Sequence, residues 1–233
     1  MSITIDSRTD ALIVVDVQRD FCPGGALPVP EGDQVVPAIN RILGLGGWLT
    51  VATRDWHPQD HCSFAPQGGI WPVHCVAGTP GAAFHPGLDA MKVRQIISKA
   101  RTQDAEAYSG FQGTELAALL KGQGIRRVFV CGLATDYCVK ATALDARREG
   151  FDVVVLEDAI RGVEVHPGGA APMMRREFFA LQVPVFRPIV ERFDVLVGTA
   201  WSIVIRVFAR ELGIPYVPLC WSPMALRSMR HPP

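Results

Sequence analysis

The chain has 233 residues, 48% hydrophobic and 20% charged, a globular composition long enough for one sizeable core or one domain plus an appendage. Lys+Arg and Asp+Glu both number 23, and the resulting zero net charge offers no basic excess for nucleic acid or an anionic membrane. The start, MSITIDSRTD, lacks the basic and then apolar regions of a signal peptide. The late apolar run Val195 to Ile205 falls short of the ~20 residues of a membrane span, so a cytoplasmic location is expected.

Ala11 to Val15 is short, wholly apolar and rich in Val and Ile, as strands buried on both faces are in parallel sheets. It ends in Asp16. After a Pro- and Gly-rich loop, Asp33 is placed to cap a helix reaching about Leu45, stopped by Gly44, Gly46 and Gly47. Trp48 to Thr53 reads as a second strand. A long irregular segment follows to about Leu88, dense in Gly, Pro, His and Trp, and such segments inside compact domains are usually functional. Val93 to Ser98 reads as a third strand, ending in Lys99. Thr114 to Lys121 reads as helix, Arg127 to Cys131 as strand, Tyr137 to Glu149 as helix, and Phe151 to Leu156 as strand. Ala171 to Ala180 reads as helix and Val183 to Phe186 as a short sixth strand. The alternation predicts a doubly wound α/β sheet.

Three reactive side chains, Asp16, Lys99 and Cys138, follow three of these strands. Sites in open parallel sheets form outside the carboxyl ends of the strands, where the strand order switches. Each such residue alone is more often solvated or structural; together the three make chemical sense. A Cys nucleophile needs a base to become a thiolate and an acid to protonate a leaving amine. One carboxylate can do both in turn, and a nearby ammonium favours the thiolate. The set suits acyl transfer from an amide through a thioester. The six cysteines (22, 62, 75, 131, 138 and 220) show no disulfide or zinc-ribbon spacing, so reduced thiols are expected.

Asp55-Trp-His57-Pro-Gln-Asp-His61, with His74 further on, is a second constellation. Carboxylate and imidazole donors in this mixture suit a divalent metal ion: zinc first, with iron or manganese as the other fits. Asp-x-His also puts two donors on one side of an extended segment. Four of the six His (57, 61, 74 and 85) fall in this one segment, which favours a metal over histidines left in solvent. Phe21, Trp71 and Tyr108 lie in the loops after the first three strands, where aromatic rings can sandwich a flat heteroaromatic ring or simply pack the loops.

The stretches ALIVVDVQRDFCPGGALPVPEGD, ATRDWHPQDHCSFA, GIWPVHCVAGTPGAAFHP and VFVCGLATDYCVKATALDARREGFDVVVLEDAIRGV resemble those of nicotinamidases (pyrazinamidases) among the isochorismatase-like cysteine hydrolases. They cover most of residues 11 to 165. The resemblance implies a three-layer α/β/α fold around a six-stranded parallel sheet of order 3-2-1-4-5-6. It implies deamidation of nicotinamide, and of pyrazinamide, in NAD salvage. Asp16, Lys99 and Cys138 match the family's catalytic triad. Asp55, His57 and His74 match its metal ligands, and His61 a fourth ligand used by some relatives. The implied metal holds the pyridine nitrogen of the substrate, between rings matching Phe21, Trp71 and Tyr108. A cis peptide bond before the nucleophile, here Leu133–Ala134, is also implied, with the Ala134 and Cys138 N–H groups as oxyanion hole.

Two departures stand out. Ala100 follows the catalytic Lys where many relatives have Gly, and Ala does not easily reach φ > 0, so the loop is expected to turn a little differently. From about Arg176 the family's closing helix and strand give way to FFALQVPVFRPIVERF and a further apolar stretch. The expected division is therefore a hydrolase domain over 1–186 and an extension over 187–233. The extension reads either as a partner-binding or homo-oligomer-stabilising segment, buried over Val195 to Ile205, or as unselected sequence. Two other functions stay open from sequence: another amide or isochorismate-type hydrolase of this fold, and a catalytically dead nicotinamide- or metal-binding relative.

Overall fold

The computed structural model describes residues 5–163, together with the backbone of 196–199 and 216–219. Five strands, β1 (Asp10–Val15), β2 (Leu49–Asp55), β3 (Gln95–Lys99), β4 (Arg127–Leu133) and β5 (Asp152–Arg161), form one parallel sheet in the order β3-β2-β1-β4-β5. The chain steps from β1 out to β3, returns to β4 on the other side of β1, and steps out again to β5. The order therefore reverses between β1 and β4, which opens a crevice at their carboxyl ends. Every residue of β1 is buried, as its unbroken apolar run requires of a central strand covered on both faces.

Helix α1 (Val35–Gly44) turns Val35, Val36, Ile39 and Leu43 toward the sheet. They join Leu12, Val14, Trp48 and Phe129 in the main core cluster. Their spacing is that of one helical face. Asp33 does not cap α1: it lies in a 3₁₀ turn, Gly32–Gln34, and Gln34 precedes the helix with no side-chain cap. Helix α2 (Leu116–Gly122) buries Leu116 and Leu120, and helix α3 (Lys140–Arg148) buries the small residues Thr142, Ala143 and Ala146.

Strand β5 runs past the expected end at Leu156. The β4–β5 register slips between Val130 and Gly132, and this irregularity lets Ile160 and Arg161 pair with Gly132 and Leu133. Gly132, at φ 112°, sits so close to β1 that a Cβ there would overlap the Val15 carbonyl. Only Gly allows this approach, which brings the turn carrying the cysteine beside the end of β1.

The chain divides into two compact units, Met1–Met174 and Arg175–Pro233. The second contains a parallel pair, β6 (Leu196–Thr199) with β7 (Tyr216–Leu219). The expected helix over 171–180, the expected sixth strand over 183–186 and the expected burial of 195–205 lie outside the described residues. Among the described residues no helix is long and apolar enough to cross a membrane.

Candidate active site

Asp16, the first residue after β1, is fully buried at φ 48°. Its carboxylate accepts a 2.6 Å hydrogen bond from the Thr53 hydroxyl and lies 3.0 Å from the Lys99 ammonium. Lys99 closes β3, and the β2–β3 register sets it directly opposite Asp55. Its Nζ therefore contacts three acidic groups at once: Asp16, Asp55 and, at 3.5 Å, the Cys138 sulfur. It also donates to the Ala107 carbonyl at 3.0 Å. Cys138 is reached through a π-helical turn, Thr135–Val139, that follows β4 and runs into α3. The peptide bond at its entry, Leu133–Ala134, is cis. The Asp16 and Asp55 carboxylates and the Cys138 thiol converge to within 4.8 Å of one another.

These contacts set the charges. Burial raises the Asp16 pKa above its ordinary value, although Lys99 opposes it. Burial also pushes the Cys138 thiol well up, again against Lys99. Burial disfavours the Lys99 ammonium, but the Asp16 and Asp55 carboxylates outweigh it and hold the amine charged. Asp55 has the same burial to overcome, and Lys99 holds its carboxyl below the usual range. Lys99 thus favours the charged forms of Asp16 and Cys138, which burial disfavours, and holds the Asp55 carboxylate ionised.

The histidine loop brings a second set together. Single donor atoms of Asp55, His57 and His74 lie within 4.8 Å of one another, and all three residues are buried. His57 Nδ1 faces the Ala100 carbonyl at 3.2 Å and His74 Nδ1 the Pro72 carbonyl at 2.7 Å. Each carbonyl fixes the N–H on Nδ1 and leaves the Nε2 lone pair free for a ligand. His57 Nε2 is buried 3.7 Å from Asp55 with no hydrogen-bond partner. An orphaned nitrogen aimed at a buried carboxylate fits a divalent metal ion. His61 stacks 4.3 Å from His57, but its Nδ1 faces the Ser63 hydroxyl at 2.8 Å and its Nε2 the Ala105 carbonyl at 3.2 Å. It is not among the converging donors.

A pocket opens beside the two sets. Phe21, Trp71 and Tyr108 all line it, as do Asp55, His74, Ala134 and Cys138. Phe21 stands 5.5 Å from the His74 ring, and Trp71 Nε1–H donates to the Tyr108 hydroxyl at 3.0 Å. Leu27, Val29, Glu106, Tyr137 and Val163 complete the walls and were not singled out from sequence. Tyr137 was the one with a visible signal, an aromatic ring beside the candidate nucleophile; its helical spacing hid it. Its ring meets Trp71 edge-on at 5.2 Å. Ala100 corrects an expectation: it adopts φ 50°, so the turn keeps the left-handed shape that Gly would give.

A family model described as the isochorismatase domain matches residues 10–180. The chain belongs to the isochorismatase family. Its relatives within that family include the nicotinamidase of Escherichia coli, 40% identical over 185 residues (69% of this chain and 87% of that protein). The nicotinamidase/pyrazinamidase of Mycobacterium tuberculosis is 44% identical over 171 residues (69% and 91%). Among solved structures, this isochorismatase-family chain is similar to the pyrazinamidase of Pyrococcus horikoshii in complex with zinc, with 55% identity over 72% of this chain and 94% of that one, at a TM-score of 0.66. It is also similar to PnC1 from L. infantum in complex with nicotinate, with 43% identity over 78% and 93%, at a TM-score of 0.74.

Proposed function

We propose that this protein is a nicotinamidase and pyrazinamidase that hydrolyses nicotinamide to nicotinate and ammonia through a thioester on Cys138. One observation carries the reading: the cluster of Asp16, Lys99 and Cys138 adjoins the cluster of Asp55, His57 and His74, and Cys138, Asp55 and His74 open on one pocket lined by Phe21, Trp71 and Tyr108. A pyridine carboxamide has an electrophilic carbon at one end and a ring nitrogen at the other, which suits this pair of sets. The nicotinamidase relatives and the zinc-bound pyrazinamidase support the substrate class and make zinc the ion of choice.

Asp55, His57 and His74 would hold the metal ion, with His61 packed behind His57. When bound, the ion supplies a Lewis-acidic anchor for the pyridine nitrogen, directly or through water. Phe21, Trp71 and Tyr108 flank the ring and fix its plane. Asp16 takes the proton of Cys138, and the thiolate attacks the carboxamide carbon. The oxyanion that develops is held by the Ala134 and Cys138 N–H groups, at the turn where a helix begins and backbone donors face outward. Asp16 returns its proton to the nitrogen as the C–N bond breaks, and ammonia leaves. Asp16 then removes a proton from water, which attacks the thioester; the thiol is restored and nicotinate departs. Lys99 stays charged throughout and stabilises whichever of Asp16 and Cys138 carries the negative charge.

Ammonia release from nicotinamide and from pyrazinamide by purified, zinc-loaded protein tests the reading. Stoichiometric ammonia and nicotinate are expected. Binding of nicotinamide with no ammonia released would mark a non-catalytic relative instead.

A further inference from the structure

We infer that Gln18 and Asp20, neither of which faces the pocket, are positioning residues that set the Asp55–His57–His74 geometry from the segment that carries the catalytic Asp16; the inference rests on the metal site proposed above. Gln18 is completely buried, two residues beyond Asp16. Its side-chain amide grips one peptide segment from both sides. Nε2 donates to the Asp55 carbonyl at 2.8 Å, and Oε1 accepts from the Asp55 N–H at 2.8 Å. The second N–H donates to the Ala82 carbonyl at 2.9 Å. All three strong hydrogen bonds of the amide are thus spent on fixing Asp55 against the 81–83 loop. The side chain acts as a strand edge at the point where β1 has already turned away.

Asp20 works one step further along. Its carboxylate accepts from the Cys75 N–H at 2.7 Å and from the Ala26 N–H at 3.2 Å. Cys75 directly follows His74, holds a left-handed φ of 47°, and accepts the His57 N–H on its own carbonyl at 3.1 Å. Asp20 therefore pins the one residue that is covalently joined to His74 and hydrogen-bonded to His57. Gly81 leaves space for the Asp20 carboxylate, which a Cβ there would overlap. Asp16, Gln18 and Asp20 alternate along one short segment, so the proton carrier and the supports of the metal ligands move together as one unit. Metal affinity commonly falls about 10- to 100-fold when groups that orient the ligands are lost.

The test is Zn²⁺ titration of the full-length protein against a chromophoric chelator, with thermal melting of the metal-free protein beside it. Gln18→Met and Asp20→Ala are expected to weaken Zn²⁺ binding by about tenfold or more, while Asp20→Asn, which keeps an acceptor for Cys75, stays within about threefold of wild type. Gly81→Ala, which displaces the Asp20 carboxylate without touching any site residue, is expected to behave like Asp20→Ala and serves where either deletion fails to fold. Unchanged Zn²⁺ affinity in these variants, with only a lower melting temperature, would overturn the positioning role and leave the metal site standing. Wild-type protein that binds no Zn²⁺ would overturn the metal site and this inference with it.

Discussion

The Lys99 ammonium lies 3.0 Å from an Asp16 carboxylate oxygen, with both side chains entirely buried, and the same ammonium contacts Asp55. One cation thus joins the candidate proton carrier to a candidate metal ligand. Lys99→Met removes the positive group that contacts both buried carboxylates, and breaking a buried pair in this way costs about 3–5 kcal/mol. The urea midpoint is expected to fall accordingly, together with loss of ammonia release. A variant of unchanged stability would show that the two carboxylates are not ionised together.

Asp16 and Asp55 should leave opposite marks on the pH dependence of stability. The folded-state pKa of Asp16 is raised above its usual 3.8, so its contribution is present at low pH and lost as pH rises through the folded value. That of Asp55 is lowered, so its contribution is present above 3.8 and lost as pH falls below it. As pH rises above 3.8, the stability advantage of wild type over Asp16→Asn is expected to shrink. The advantage over Asp55→Asn is expected to shrink only on acidification. Urea unfolding of the metal-free proteins reads both, and a wild-type advantage over Asp16→Asn that grows with pH contradicts the assignment.

Ala100 couples backbone conformation to the histidine loop, because its carbonyl orients His57 from a left-handed turn. An L-residue there costs about 1–2 kcal/mol; Gly relieves that strain but loses more chain entropy on folding, which cancels part of the gain. Ala100→Gly is expected to be neutral or to stabilise by up to about 1 kcal/mol. Ala100→Val, β-branched at positive φ, is expected to lower both the melting temperature and Zn²⁺ affinity. A Val variant that melts and binds Zn²⁺ like wild type would remove Ala100 from the account.

The strand ends that carry chemistry were legible in the sequence because each follows an apolar run: Asp16 after 11–15, Lys99 after 93–98, Cys138 soon after 127–131. Local pattern does not encode register, so the pairing that sets Lys99 opposite Asp55 was not visible, nor was the contact between them. The same holds for Gln18, whose partners are 37 and 64 residues away. Helical periodicity placed Tyr137 and Cys138 in an ordinary helix, whereas the structure winds a π-helical turn that shows Tyr137 to the pocket. Asp33 had the right residue type for a cap, but the 3₁₀ turn at Gly32–Gln34 took its place.

The thiols are graded by environment. Burial, with help from Asp33, pushes Cys22 up to about 11, and burial raises Cys75 and Cys131 further still. Cys62 is partly exposed, and Cys138 lines the pocket beside an ammonium and a carboxylate. Burial raises Cys138 as well, but it opens on the pocket beside an ammonium, so among the described cysteines brief alkylation at neutral pH, mapped by peptide mass, is expected to label Cys62 and Cys138 first, with nicotinamide protecting Cys138. Labelling of Cys22 or Cys131 ahead of Cys138 would contradict this order.

Metal removal should act on substrate binding before chemistry, since the ion held by Asp55, His57 and His74 would anchor the ring nitrogen and the proton transfers belong to Asp16 and Cys138. Complete chelation is expected to raise KM for nicotinamide, and re-addition of Zn²⁺ to restore it. An unchanged KM in metal-free protein would rule out the anchoring role.

The most direct test of the central claim is ammonia release by zinc-loaded Cys138→Ala, measured beside its calorimetric affinity for nicotinamide. The account predicts turnover reduced to background with nicotinamide still bound at near wild-type affinity. Substantial ammonia release by the variant would contradict the assignment of Cys138 as the nucleophile.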